Sequence, residues 1–268
     1  WYRDNNYIDG ATHTWHIARV KGYYKVQKVE GECSAFSRDT LINATITPCP
    51  NIPIPIITRD PDVDEICQGG SFLLSVNNLP VLANPVYRWY KNGVEISSGS
   101  KYYMAKDEGY YFFSVTTGGS DYYSNEIYIG VSNTDNITPP QIKSENDQYT
   151  LCGEGSMVRL IIENPQAGAT YQWYKDNIAI QGATNENYLV IDAGDLLANG
   201  YYMVKMIMDG CTAFSEAKEI ISQENPNFAR PVIAKDPYSA EICGSDGSVL
   251  LYIINSSIYL TPTYSWDR

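Results

Sequence analysis

The sequence is poor in histidine, poor in basic residues, and free of long apolar runs. Only His13 and His16 occur in 268 residues, and none of the six cysteines forms a Cys-x-x-Cys pair. The clustered Cys and His ligands of a structural zinc site are therefore missing. Lysine and arginine number 19 against 31 acidic residues, a net charge of −12. That sign disfavours nucleic acid and an anionic membrane surface as partners, since both carry dense negative charge. No stretch approaches the ~20 apolar residues that a membrane-spanning helix needs. No window carries a helical apolar stripe, and residues 195–199 offer one helical turn at most. No Gly-rich loop leads from a strand into a helix to cradle phosphate. The chain has no N-terminal Met or signal peptide, which fits an internal or mature segment.

What the chain does have is aromatic residues in a repeat: 23 Tyr, 6 Phe and 5 Trp within 44% apolar content. Tyr87-Arg88-Trp89-Tyr90-Lys91-Asn92 returns as Tyr171-Gln172-Trp173-Tyr174-Lys175-Asp176. It returns again as Trp1-Tyr2-Arg3-Asp4 and as Tyr264-Ser265-Trp266-Asp267-Arg268. The Trp-to-Trp steps are 88, 84 and 93 residues, a period that means a tandem array of small domains. The array divides into a C-terminal part of a domain (residues 1–48), complete domains at 53–132 and 139–223, and an N-terminal part at 230–268. The chain is thus expected to be a segment of something longer.

Each unit reads as short strands. Pro-x-Ile opens it (Pro55-Ile56-Ile57, Pro140-Gln141-Ile142, Pro231-Val232-Ile233), and Pro is tolerated at the start of an edge strand. An acidic loop, a Cys and a Gly-rich turn follow, then a strand (residues 67–76, 152–162, 243–253), then the Trp strand. Gly-Tyr-Tyr at Gly22, Gly109 and Gly200 opens an alternating run, and a tight turn leads into the last strand. Seven short β segments with regular turns predict an antiparallel sandwich, all-β, repeated as tandem immunoglobulin-like domains. Val76 precedes Trp89 by 13 residues, as an inward residue of strand B precedes the core Trp of strand C. Tyr24, Tyr111 and Tyr202 sit where strand F carries a corner tyrosine, two residues before inward Val26, Phe113 and Val204. Trp89 and Trp173 are read as core, not as ligand platforms. The linkers (around Pro48-Cys49-Pro50, residues 133–140, and Gln223-Glu224-Asn225-Pro226) are short and hold Pro, which predicts an elongated array.

Together Cys-x-Gly-x-Ser, Tyr-x-Trp-Tyr-Lys-x-Asn, Gly-x-Tyr and Gly-Cys-Thr resemble bacterial immunoglobulin-like repeats, those of large secreted surface proteins and adhesins of Bacteroidota exported by type 9 secretion. The resemblance covers the whole chain and departs at Ser120, which stands where Cys211 stands in the other complete domain. It implies a bacterial cell-surface or extracellular location and a structural or adhesive role, spacing and presenting other parts of a long surface protein or fibre. The partners are then neighbouring domains of the same chain. Two alternatives remain: a glycan- or protein-binding module using Tyr-rich sheet faces, or the non-catalytic stalk of a secreted hydrolase. Asp39-Thr40-Leu41 is similar to the O-glycosylation site of that group, making Thr40 a candidate.

Chemistry-bearing residues are few. The complete units hold no His, and duplicated scaffolds rarely each carry a site, so no enzyme activity is expected. The acidic loop Asp60, Asp62, Asp64 and Glu65 could supply oxygens to Ca²⁺, though it lacks EF-hand spacing and reads equally as a solvated loop; no other cofactor is indicated. Recurrent cysteines point to disulfides in an oxidising place. Cys152 and Cys211 belong to one unit but to its opposite ends, roughly 25–30 Å apart at ~3.3 Å per strand residue. A disulfide needs Cα atoms within ~7 Å. The geometry favours a staple between consecutive domains, Cys67–Cys211, and the same rule sends Cys33, Cys152 and Cys243 to neighbours expected outside the segment. The rival pairing is Cys152–Cys211 with Cys49–Cys67.

Overall fold

The computed structural model describes residues 1–31, 33–43, 52–194, 197–223, 233–235 and 251–253. Cys49, Cys243, Trp266 and the start of the 195–199 turn lie outside them. Every regular element among the described residues is a β-strand, so none is a helix able to cross a membrane. The chain forms two compact units, Trp1–Ile137 and Thr138–Arg268.

The first unit opens with β1 (Tyr2–Arg3), β2 (Asn6–Tyr7), β3 (Gly22–Lys25), β4 (Gln27–Glu30), β5 (Cys33–Phe36) and β6 (Thr40–Ile42). These give one antiparallel sheet in the order β2-β1-β3-β6 and a β4–β5 hairpin. A sandwich follows: β7 (Ile57–Asp60), β8 (Glu65–Gln68), β9 (Phe72–Val76), β10 (Val86–Lys91), β11 (Val94–Ser98), β12 (Tyr102–Ala105), β13 (Gly109–Thr117), β14 (Ser120–Tyr123) and β15 (Ile127–Asn136). One sheet runs β11-β10-β13-β15-β8, with β14 also on β13, and the other runs β12-β9-β7. Pro61, which has no N–H for a ladder, ends β7 on β9; the chain then crosses to β8, parallel to β15.

Alternation decides what fills the space between these sheets. Inward Phe72, Leu74 and Val76 of β9 meet Trp89 of β10 and Tyr111, Phe113 and Val115 of β13, all fully buried in one cluster. Trp89 lies opposite Phe113 in the ladder, with ring centroids 5.2 Å apart, edge to face. Truncating a side chain of that size in such a core costs about 3–5 kcal/mol.

The second unit repeats the plan with β16 (Ile142–Ser144), β17 (Thr150–Leu151), β18 (Met157–Ile162), β19 (Thr170–Lys175), β20 (Ile178–Ala179), β21 (Asn187–Ile191), β22 (Gly200–Met208), β23 (Cys211–Phe214) and β24 (Lys218–Ser222). Its sheets run β16-β18-β21 and β17-β24-β22-β19-β20, with β23 on β22. Beyond them β25 (Ile233–Lys235) pairs with β26 (Leu251–Ile253). The Ile of each Pro-x-Ile motif takes the same register against the strand that precedes the Trp strand: Ile57 with Val76, Ile142 with Ile162, Ile233 with Ile253.

One boundary differs from the sequence reading. Polar residues 133–136 read as linker, yet β15 continues to Asn136, which pairs with Gln68. The Ile137 N–H then donates to the Gln68 carbonyl at 2.9 Å, and the Ile137 side chain is buried. Residues 133–135 fall in a register break of that ladder, and backbone pairing on either side, at Ser132 and Asn136, ties the stretch to β8 without needing apolar side chains.

Candidate functional site

The core tryptophans are fully occupied with structure. Trp89 donates its indole N–H to the Ser100 carbonyl at 3.1 Å, Trp173 to Asn185 at 2.9 Å, and Trp1 to His13 at 2.8 Å. Trp89 and Trp173 have no exposed surface and cannot act as ligand platforms. The three tyrosines form the same corner. Tyr24 donates its hydroxyl to the Val20 carbonyl at 2.7 Å, Tyr111 to Asp107 at 2.8 Å, and Tyr202 to Ala198 at 2.9 Å, each four residues back. Burial pushes the Tyr111 and Tyr202 phenols well above their usual 10.0.

A second recurring device was not read from the sequence. After the strands of Trp1, Trp89 and Trp173 an Asx residue reaches across to strand F and accepts the N–H that follows the glycine. Asp4 takes Tyr23 at 2.9 Å, Asn92 takes Tyr110 at 3.0 Å, and Asp176 takes Tyr201 at 2.8 Å. This explains the glycine of Gly-Tyr-Tyr. A Cβ on Gly200 would lie 2.6 Å from an Asp176 carboxylate oxygen, and one on Gly109 would lie 3.1 Å from Asn92 Oδ1. The available signal was the Asx three residues after Trp1, Trp89 and Trp173.

The acidic loop holds a basic residue that changes its chemistry. Arg59 places Nε 3.5 Å from Asp62 and hydrogen-bonds Asp64 through its other nitrogen, so two of the four candidate Ca²⁺ ligands already face a cation. Both carboxylates are largely in water, where such pairs contribute little stability. Among the described residues no three His, Cys, Asp or Glu side chains gather as a metal site. Arg59, Asp64, Ile57, Ile127 and Tyr128 line a cleft of about 720 Å³.

Both histidines are packing residues. His13 stacks on Trp15 at 4.5 Å and lies 4.3 Å from the Tyr110 ring, with Nε2 3.7 Å from Glu126. His16 lies between Trp1 and Tyr24, and burial lowers its pKa below 6.5. Of the paired tyrosines, Tyr111 turns inward, whereas Tyr110 turns outward to Tyr128 at 4.9 Å. On the same outer face Tyr90 stacks on Phe112 at 4.6 Å and 8°, with Tyr123 beside them. Thr40 is exposed on β6, opposite Tyr24.

Cys67 and Cys211 are each in a disulfide, whereas Cys33 and Cys152 are free thiols. The alternative Cys152–Cys211 bond is therefore not formed, and the register gives the reason. Cys152 follows Leu151, which pairs with Ser222, two residues past the Ile220 that pairs with Gly200 at the start of β22; Cys211 pairs with Met208 at its far end. Eight residue steps along that strand are about 26 Å at ~3.3 Å each. The other half of that alternative, Cys49–Cys67, falls on a residue outside those described.

Two facing sheets, a split first strand, a core Trp between them and a corner tyrosine on strand F decide the fold. The chain consists of tandem immunoglobulin-like sandwiches. No family model matches it, and neither does any curated protein. Similar solved structures include murine CEACAM1b, 17% identical over 62% of this chain and 100% of that one, with a TM-score of 0.29. The N-terminal Ig1-2 module of the Drosophila receptor protein tyrosine phosphatase DLAR is 16% identical over 63% and 98%, with a TM-score of 0.33. Tandem Ig repeats of Dlar give 16%, 64% and 98%, with a TM-score of 0.34.

Proposed function

We propose that this chain is an extracellular, non-catalytic segment of a multi-domain surface protein. Its domains space and present other parts of the polypeptide, as the resemblance to bacterial surface-protein repeats implies. The observation that carries this reading is the disulfide state of the cysteines. Residues 53–132 contain one cysteine, Cys67, and it is bonded, so its partner lies outside that domain. Residues 139–223 contain Cys152 and Cys211; Cys152 is free and Cys211 is bonded, so the partner of Cys211 also lies outside its own domain. We assign the two to each other, as a staple joining consecutive domains. Disulfides persist in oxidising, extracytoplasmic places, and a covalent junction suits a part whose work is to hold distance under load.

Non-reducing peptide mapping tests the assignment. A disulfide-linked Cys67–Cys211 peptide is expected, and a Cys152–Cys211 peptide would sink the staple. One observation favours a second role as a protein- or glycan-binding module: Tyr128 on β15 (42% exposed) and Tyr201 on β22 (54% exposed) each present a ring on the outer face of their sheet. Aromatic rings of that kind offer flat, stiff contact area. Glycan arrays probed with the whole chain should give signal that Tyr128→Ala reduces, and a blank array removes the glycan version of that role.

A further inference from the structure

Residues 11–20 join no sheet, yet they are held on two sides. On one side they cover the sheet β2-β1-β3-β6. The Trp1 indole holds the His13 carbonyl, the Tyr24 hydroxyl holds the Val20 carbonyl, and the His16 ring lies 5.8 Å from both aromatic rings. Tyr103 takes the same place between Trp89 and Tyr111, 6.0 Å from each. Tyr188 takes it between Trp173 and Tyr202, at 6.0 and 6.1 Å. Each of the three follows, by three residues, the carbonyl that accepts the Trp indole. Residues 11–20 are therefore the segment equivalent to β12 and β21, with His16 as its inward ring.

On the other side the segment meets residues 53–132, within the one compact unit Trp1–Ile137. Trp15, next to inward His16, donates its indole N–H to Glu126 Oε2 at 2.8 Å. Its ring lies on the turn between β10 and β11, where a Cβ on Gly93 would be 3.0 Å from it. Arg19 donates through both terminal nitrogens to consecutive carbonyls, Tyr123 at 3.0 Å and Ser124 at 2.6 Å. This seat is particular to one domain. The Ser124 hydroxyl accepts the Phe113 N–H as the Ser215 hydroxyl accepts that of Val204, so Glu126 corresponds to Ala217, which has no side-chain acceptor. Trp15 likewise corresponds to Asn187 of residues 139–223.

We infer that residues 13–19 are a non-covalent clasp that locks the N-terminal domain onto the Glu126 face of residues 53–132. Trp15 and Arg19 are its anchors, the residue types that carry most of the energy in interfaces. The planar Arg19 fork fixes the spacing of the two carbonyls it holds, which a point charge would not do. His16 ties the same segment to its own sheet, so a displacement of one domain is passed to the other through a few side chains. The inference goes beyond the spacer reading, and it stands whether or not Cys67 and Cys211 are bonded to each other.

The test is limited trypsin digestion of the full chain, timed by mass spectrometry. Cleavage after Arg19 needs the clasp open, so its rate follows the open population. Glu126→Ala removes the acceptor of Trp15 and none of the contacts of Arg19. A clasp that opens as one body should then be cut after Arg19 about fivefold faster, a change of ~1 kcal/mol. Glu126→Gln keeps a carbonyl oxygen for the indole and should stay within about twofold of the wild type. Cleavage after Arg88, inside residues 53–132, should not change in either variant. An unchanged rate after Arg19 in Glu126→Ala would overturn the clasp. So would a Glu126→Gln chain cut as fast as Glu126→Ala, since the indole bond would then hold nothing. Faster cutting after Arg88 would show that Glu126 serves its own domain, and overturns the inference as well.

Discussion

The corner tyrosines make identical bonds in different surroundings, which turns one substitution into a graded test. Replacing Tyr by Phe keeps the ring and its packing and deletes only the hydroxyl, so the cost is that of the carbonyl left behind. A typical hydrogen bond contributes about 0.5–1.5 kcal/mol net, but a buried acceptor left unsatisfied costs about 1–3 kcal/mol. Tyr202 donates to Ala198, itself 4% exposed, and that bond is buried. Tyr111 donates to the carbonyl of Asp107, an exposed residue where water can replace the hydroxyl. Tyr24 donates to Val20, which is 51% exposed. Tyr202→Phe should therefore destabilise its domain by about 2 kcal/mol, and Tyr111→Phe and Tyr24→Phe theirs by about 1 kcal/mol or less. Five tryptophans blur a fluorescence melt, so the assay is native-state hydrogen exchange with mass spectrometry, which reads each domain's strands separately. A loss of 2 kcal/mol appears as about 30-fold faster exchange in β22, against roughly fivefold in β13 for Tyr111→Phe. Equal effects in the two domains, or a larger one for Tyr111→Phe, would refute the reasoning from acceptor burial.

Three further outcomes follow from the geometry. The folded-state pKa values of Tyr111 and Tyr202 are raised, so the folded form keeps phenolic protons that the unfolded chain loses near 10.0. Their contribution is complete below pH 10 and is lost as pH rises toward the folded values; circular dichroism should show stability falling above pH 10, less steeply in the Tyr111→Phe/Tyr202→Phe variant. Gly200→Ala should cost about 1–3 kcal/mol, because φ is +152° and the new Cβ crowds the carboxylate that holds the Tyr201 N–H. Urea titration would show this, and Gly200→Ala combined with Asp176→Ala should fall short of the sum of the two. Arg59 already faces Asp62 and Asp64, so the wild-type Tm should be the same with and without EDTA; a drop on chelation would establish Ca²⁺ ligation instead.

What the sequence made legible was what alternation and spacing encode. Trp89, Val76 and Phe113 could be placed in one core because strand period is two residues and the intervals match a two-sheet sandwich. The corner tyrosines followed from their distance to those inward positions. What stayed hidden depends on the third dimension. Asn92 and Tyr110 are neighbours only once β10 and β13 pair, so the role of Gly109 could not be seen along the chain. Arg59 reads as one basic residue among acids until its side chain turns toward Asp62 and Asp64. Phe112 alternates outward and should be wet, yet the Tyr90 ring covers it to 4% exposure.

The recurring devices divide into two kinds by where their partners are. The Trp indole, the corner hydroxyl, the Asx carboxylate or amide and the Pro-x-Ile register all find partners inside their own domain, in each copy where they are described. They close the sandwich on itself and would serve any immunoglobulin-like domain regardless of its work. The cysteines behave differently. Within residues 139–223 the two are about 26 Å apart by strand rise, so no adjustment of side chains can join them. Within residues 53–132 there is only one. A cysteine that cannot bond within its domain, yet is bonded, contributes nothing to that sandwich that Ser120 does not also allow at the equivalent turn. Such a bond reaches beyond the sandwich, which no contact of the aromatic core does.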